Sequence, residues 1–451
     1  MERDELIQYI RSSKVNKVKY GITDIDGILR GKIISAEKFL KAIRNGFGFC
    51  NVIFGWDSND EIYSREGLTG WHTGYPDSDA AIDLDTGRLI PREPDTPFYL
   101  ADFEPSEQLS AICPRSLLKR VAMKAETMGI NPVFAAEYEW TNFAESHQSL
   151  REKNFLPPDP VSPGMFGYSM LRLSNYSAFF NSLFDELQSA RIPLAALHTE
   201  TGEGACEASI EPATILEAAD RAVLFKHFVK ELAYKNGMIA SFMAKWSEDF
   251  PGNGAHIHQS LWDADRKKNL FYDPDEPDSI SRIMKQYLAG QLHCLPSLLP
   301  MYAPTVNSFK RFREGSWAST TVSWGVDNRT TAFRVIHASQ KEMRIENRVP
   351  GSDLNPYLAM AASLASGLYG IENKLELNIP PTKGNEYEKV EGIRLPGNLR
   401  EAIREMKRSE LPSLFFGWEF ADHFIASREW EAEQSEKAVT DWERRRYFEI
   451  I

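Results

Sequence analysis

The sequence predicts an α+β protein of two domains, and three observations carry that reading. Short strand-like runs joined by turn residues fill roughly the first hundred positions. Beyond a polar segment from Asp102 to Pro114 that contains Pro105, amphipathic helical runs stand among longer strand-like runs. The stretch from Trp324 to Val349 then places charge where a strand should alternate. In it Arg344, Glu346 and Arg348 share one face at period two, and Met343, Ile345 and Val349 take the other. Arg334 lies between Phe333 and Val335, five residues after Arg329. Guanidinium groups gathered in this way suit phosphate or carboxylate, because the planar fork donates two hydrogen bonds at once. A solvated ladder of salt bridges is the other reading of this stretch alone.

Composition narrows the function. A chain of 451 residues can bury a large core, and its net charge of −12 argues against a general nucleic-acid binder while leaving room for a local basic pocket. Cys50, Cys113, Cys206 and Cys294 are far apart and form no CxxC pair, so neither a disulfide framework nor a structural zinc site is signalled. The charged, amphipathic start MERDELIQYIRSSK lacks the apolar core of a signal peptide, and no run reaches transmembrane length. A soluble, cytoplasmic protein with neither nucleic acid nor membrane as partner is expected.

Taken in order, Lys17 to Ile22 and Leu29 to Ile34 read as a hairpin turned by Asp24, Ile25, Asp26 and Gly27. A helix over Ala36 to Arg44 is stopped by Asn45 and Gly46. The apolar run FGFCNVIFGWDSND then ends in a polar loop at Asp57, Ser58, Asn59 and Asp60, where carboxylates serve either a ligand or ordinary turns. After the boundary, placed between residues 108 and 109, Arg115 to Met128 is helical. In VFAAEYEWTNF the apolar Phe134, Ala136, Tyr138 and Trp140 face one way, and Glu137 and Glu139 project from the other. Two acids side by side repel unless a cation lies between them.

Residues 145 to 180 read as a long excursion with little regular structure, followed by a helix over Ser182 to Ala190. HTETGEGACEASIEP carries Glu200, Glu203 and Glu207 around Gly202 and Gly204, an acidic loop aimed either inward or at solvent. A helix from Leu216 to Asn236 leads to the strand-like MIASFMAKW and then to PGNGAHIHQSLW, where His256, His258 and Ser260 share one face. Ser279 to His293 is helical. Lys310, Arg311 and Arg313 sit among aromatic residues, NPYLAMAASLASGLYGIENKL is an alanine-rich core helix, and Ala432 to Arg446 is charged amphipathic helix.

Gathered together, Glu137, Glu139, Glu200, Glu207, Glu346 and His256 suit magnesium or manganese better than zinc or copper, because hard cations favour carboxylate and water. Arg311, Arg329, Arg334, Arg344 and Arg348 form the complementary anion set, the equipment of phosphoryl transfer. A phosphate-loop fold is excluded as the carrier: GILRGKI is one residue short of that pattern and lacks its Ser or Thr.

The motifs AEYEW, the Glu200 to Glu207 loop, FPGNGAHIHQSL, VNSFKRF, DNRTTAFRV and RIENRVPGSDLNPYLAMAASLASGL occur in family order across nearly the whole chain, which on them resembles the glutamine synthetase family. The resemblance implies a β-grasp N-terminal domain over 1–108. Over 109–451 it implies a catalytic domain whose antiparallel strands form a funnel for ATP and glutamate, with two or three Mg²⁺ or Mn²⁺ ions. It implies double hexameric rings in which the neighbour's N-terminal domain completes each site. Glu139, Glu200 and Glu207 would hold one metal and Glu137, His256 and Glu346 another. Arg311 and Arg348 would bind glutamate's α-carboxylate, with Gly252 near its amino end. Arg329, Arg334 and Arg344 would contact phosphates, and His258 and Ser260 the nucleotide side.

Departures from the ammonium-using pattern point to the acceptor. Trp317 stands where those enzymes carry a glutamate flap, and Pro251 replaces an asparagine. Asp57 is only an approximate counterpart of the aspartate in the ammonium pocket. Tryptophan offers an apolar wall and a ring face for a cation, so the expected nucleophile is an organic mono- or polyamine, as in the γ-glutamylpolyamine and γ-glutamylmonoamine ligases of the family. An ammonia-using glutamine synthetase and a non-catalytic scaffold are the alternatives. The tyrosine loop of adenylylation control has no match near NIPPTKGNEY.

Overall fold

In the computed structural model, which describes residues 3–337, 339–388 and 392–451, two sheets and their covering helices make up the fold. The expected hairpin forms between β1 (Lys17–Thr23) and β2 (Leu29–Ser35). Its turn is built by Asp24, whose Oδ1 accepts from the backbone N–H groups of Asp26 and Ile28. With β3 (Phe47–Cys50), β4 (Asp77–Ile90) and β5 (Glu93–Phe103) they make a five-stranded sheet in the order β2-β1-β5-β4-β3, β1 and β5 being parallel. The helix Ala36–Asn45, capped by the Ser35 side chain, packs on it and completes a β-grasp-like half-barrel.

The second sheet contains β6 (Ile130–Phe143), β7 (Leu194–Thr199), β8 (Ala205–Ile210), β9 (Ala213–Thr214), β10 (Ile239–Ser241), β11 (Ala255–Asp263), β12 (Trp324–Val326), β13 (Phe333–Ile336) and β14 (Arg344–Asn347). Its order is β12-β13-β14-β11-β6-β8-β7, with β9 and β10 paired to β6. Along β6 burial alternates as the sequence demanded. Phe134, Ala136, Tyr138 and Trp140 are buried on the side of the helix Ile215–Lys235, which leaves Glu137 and Glu139 on the opposite face.

Behind the sheet the core is set by the helices Arg282–Tyr302 and Pro356–Glu372. They approach so closely that a Cβ on Gly290 would lie 2.2 Å from the Ser366 carbonyl oxygen, and one on Gly370 2.1 Å from that of Gln286. Glycine at both places lets the backbones touch. The first of these helices does not end before Pro296. It continues through Pro296 and Pro300, because the buried Leu295, Leu298, Leu299 and Met301 supply packing that offsets the lost backbone donors.

Other expectations are adjusted. The run after Gly237 keeps only Ile239–Ser241 as strand, and the excursion at 145–180 carries the short helices His147–Glu152 and Met170–Asn175. The C-terminal helix is interrupted: Trp418–Lys437 stops, and Thr440 caps a separate helix Asp441–Tyr447.

The two halves are joined by a buried ion cluster. Arg115 donates to Asp220 from Nε and Nη2, both at 2.8 Å, and to Asp102 from Nη1 at 2.5 Å. Asp102 belongs to β5 and Asp220 to the helix Ile215–Lys235, so one guanidinium ties both sheets' supports together. Asn355, which caps Pro356–Glu372, also donates to the carbonyls of Asp24 and Ile25.

Candidate active site

Strand register decides which side chains meet. Arg334, Glu346 and His258 lie opposite one another across β13, β14 and β11. In the next row are His256, Glu137 and Ser209, across β11, β6 and β8. A third row is Glu139, Glu207 and His198, across β6, β8 and β7. All three rows open into a single cavity of about 700 Å³.

Two groups of ligand atoms stand within 4.8 Å of one another in this cavity: Glu137, His256 and Glu346, and His198, Glu200 and Glu207. In the first, His256 Nδ1 is 3.1 Å from Glu137 Oε1 and 3.3 Å from Glu346 Oε1. In the second, His198 Nε2 is 3.0 Å from Glu207 Oε1. Carboxylates with one imidazole in each group fit a hard divalent cation, so the residues present match the metal that the resemblance implies.

Electrostatics follow from this crowding. Burial opposes the charge on Glu137, yet a bond from His256 and the nearby His258 ring hold its carboxyl well below the usual range. Glu346 is likewise buried, and Arg348, His256 and His258 bring it down to about 2. Glu207 is pushed up by burial and by the neighbouring Glu137 and Glu139, against a bond from His198. His198 itself, despite burial, is raised to about 9 by Glu207.

Anion-binding groups line the same space. Arg334 donates to Glu346 Oε2 at 3.0 Å, and Arg348 donates to Glu346 Oε1. Arg311 is buried and anchored on the carbonyls of Val349 and Arg348 at 2.8 and 3.1 Å. Arg344 donates to His258 Nδ1 at 3.3 Å, while His258 Nε2 is buried with no hydrogen-bond partner. Gly252 lines the cavity beside Arg311, and a Cβ there would lie 2.3 Å from the Ala244 carbonyl oxygen. Arg329 and Trp317 complete the wall.

Two expected residues are not brought in. Asp57 does not line the cavity of its own chain. Its Oδ1 accepts from the N–H groups of Asn59 and Glu61, and its Oδ2 from Trp430 Nε1 at 2.8 Å. Ser260 also lies off the lining, its hydroxyl accepting from Trp262 Nε1 at 3.0 Å. Glu203 of the acidic loop instead accepts from the Gly164 N–H. Conversely, His198, Tyr168 and Ser209 line the site without having been singled out. The signal for His198 was its place two residues before Glu200. Tyr168 stacks on its ring at 4.4 Å.

Fold and site define a carbon–nitrogen ligase. The family described as "Glutamine synthetase, catalytic domain" matches residues 111–447, and the chain belongs to the glutamine synthetase family. Among its relatives, type-1 glutamine synthetase 2 of Dictyostelium discoideum is 49% identical over 99% of this chain and 86% of that protein. Glutamate–isopropylamine ligase of a Pseudomonas species is 38% identical over 98% of this chain and 97% of that protein. A solved structure titled as the GmaS/ADP complex superposes with a TM-score of 0.85 at 26% identity, covering 98% of this chain and 99% of that one. Among the described residues, no helix is long and apolar enough to cross a membrane.

Proposed function

We propose that the chain joins the γ-carboxylate of glutamate to an organic amine, using ATP to activate the acid as γ-glutamyl phosphate. Trp317 carries the choice of amine. Its indole is 56% exposed, and its backbone, at φ 60°, is left-handed. That conformation costs a non-glycine residue roughly 1–2 kcal/mol and persists where the surroundings enforce it. Trp317 and Arg329 line both the acid-rich cavity and an adjoining outer cavity of about 700 Å³. An amine nitrogen beside the glutamyl group would thus have room for its substituent past the indole. The relatives named as isopropylamine, ethanolamide and putrescine enzymes support this reading.

In the mechanism, Arg311 and Arg348 hold the α-carboxylate of glutamate and Gly252 faces its amino end. Arg329, Arg334 and Arg344 draw charge from the phosphates, and His258 lies toward the nucleotide. Glu137, His256 and Glu346 would hold one divalent cation, and Glu139, Glu200 and Glu207, joined by His198, another. Bound Mg²⁺ or Mn²⁺, two or three ions per site, would neutralise phosphate charge. The γ-carboxylate oxygen attacks the γ-phosphorus, ADP leaves, the amine attacks the acyl carbon, and phosphate departs. Activation is needed because phosphate leaves an acyl carbon far more readily than oxide does.

Asp57, outside its own chain's cavity, would serve a neighbour's site in a double hexameric ring. Ammonia is the second reading of the nucleophile, supported by the name of the 49% identical relative. A scaffold role is disfavoured by the complete donor set. Phosphate release with Mg-ATP and glutamate, measured across ammonium, monoamines, diamines and polyamines, tests the proposal. An organic amine should turn over best, and best turnover with ammonium would overturn it.

A further inference from the structure

Away from the funnel, a cavity of about 300 Å³ opens between the loop at 63–69 and the helix Trp418–Lys437. Aromatic rings form its walls: Tyr63 meets Trp430 at 5.9 Å and His423 at 6.4 Å, both edge to face, and Trp418 stands exposed at the rim. Five carboxylates line it, those of Glu66, Glu419, Asp422, Glu429 and Glu433, against the single guanidinium of Arg65. Arg65 is spent on Asp422 at 2.8 Å, and Glu429 is paired with Lys407. Glu66, Glu419 and Glu433 have no ion pair among the described residues.

One observation independent of the charge points to a ligand. His423 Nε2 and Tyr63 OH, both on lining side chains, are buried with no hydrogen-bond partner. Such atoms ordinarily find one in protein, water or ligand. In addition, the Trp430 ring already carries an ammonium, that of Lys437 at 5.4 Å from its centroid. Burial and the nearby Arg428 bring His423 down to about 4, so at neutral pH its ring adds no positive charge.

We infer that this seam cavity is a second site, separate from the metal-lined funnel, for a small organic cation of the alkylammonium or diamine class. Ring faces attract the cation through their quadrupoles, and carboxylates at the rim balance its charge. A neutral ligand would gain neither term, and an anion would meet the carboxylates.

The test is isothermal titration calorimetry on the full chain with tetramethylammonium and with 1,4-diaminobutane, using 1-butanol as the neutral control. Three proteins are compared: the unaltered chain, the double variant Trp418→Ala/Glu433→Gln, and Glu346→Ala. Both substituted seam positions are solvent-exposed, and an unchanged unfolding midpoint verifies that the fold is kept. Saturable binding of at least one cation is expected, together with none of 1-butanol. It should be about tenfold weaker in the double variant and unchanged in Glu346→Ala. Absence of binding, binding that the double variant leaves intact, or binding that Glu346→Ala abolishes would each overturn the inference. The last result would place the cation in the funnel.

Discussion

His256 faces Glu137 across the β6–β11 register, with Nδ1 3.1 Å from Oε1. A one-residue slip of either strand would turn one of them to the opposite face. With Glu346 on the next strand, the pair forms one of the two groups that could hold a divalent cation. Glu346→Ala should therefore lower phosphate release by at least about 10³-fold with every amine, as expected when transition-state charge loses its stabilisation. It also leaves Arg334 and Arg348 without their buried partner, at a cost of roughly 3–5 kcal/mol. Thermal unfolding beside the kinetics would separate the two effects, and Glu346→Gln should recover part of the stability without the activity.

His198 makes a sharper case, because composition and period gave it no prominence. Placed between Glu200 and Glu207, it should contribute to holding the second cation. His198→Ala is expected to raise the metal concentration giving half-maximal phosphate release by about 10–100-fold. A magnesium titration at saturating ATP reads this directly, and an unchanged midpoint would remove His198 from the metal group.

For Trp317, substitution by glutamate should shift preference toward ammonium and reduce turnover of bulky amines by about tenfold or more, with ATP affinity nearly unchanged. Comparing kcat/KM for ammonium and for one monoamine in both proteins measures the shift. The same ratio in both would assign Trp317 to loop packing.

His423 gives a pH dependence with a definite sign. Its folded value of about 4 lies below the ordinary one near 6.5, so folding favours the neutral ring. The stability it contributes is present above about pH 6.5 and is lost as pH falls from there through 4. Unfolding midpoints of the wild-type chain should rise with pH across that window, and His423→Gln should flatten the slope. Equal slopes would contradict the shift.

Much of this was legible beforehand because strands write their faces at period two. Glu137 and Glu139 on β6, His256 and His258 on β11, and Glu346 on β14 each declared a polar face opposite an apolar one. Strand pairing, which decides that Glu207 meets His198, leaves no such mark on either strand alone. The roles given to Asp57 and Ser260 came from resemblance, and both side chains are turned to bonds of their own, with Trp430 and Trp262. The helix read over Ser279 to His293 stopped short of Pro296, a residue that removes a backbone donor. That local rule yields when the surrounding core is well packed, as around Leu295 and Leu298.

The central claim is that glutamate's γ-carboxylate attacks ATP and that the amine then displaces phosphate from the acyl carbon. Glutamate labelled with ¹⁸O in that carboxylate, incubated with Mg-ATP and the best amine, tests it through the mass of the phosphate released. One ¹⁸O atom per phosphate is the expected result; phosphate formed at the rate of amide product without label would contradict it.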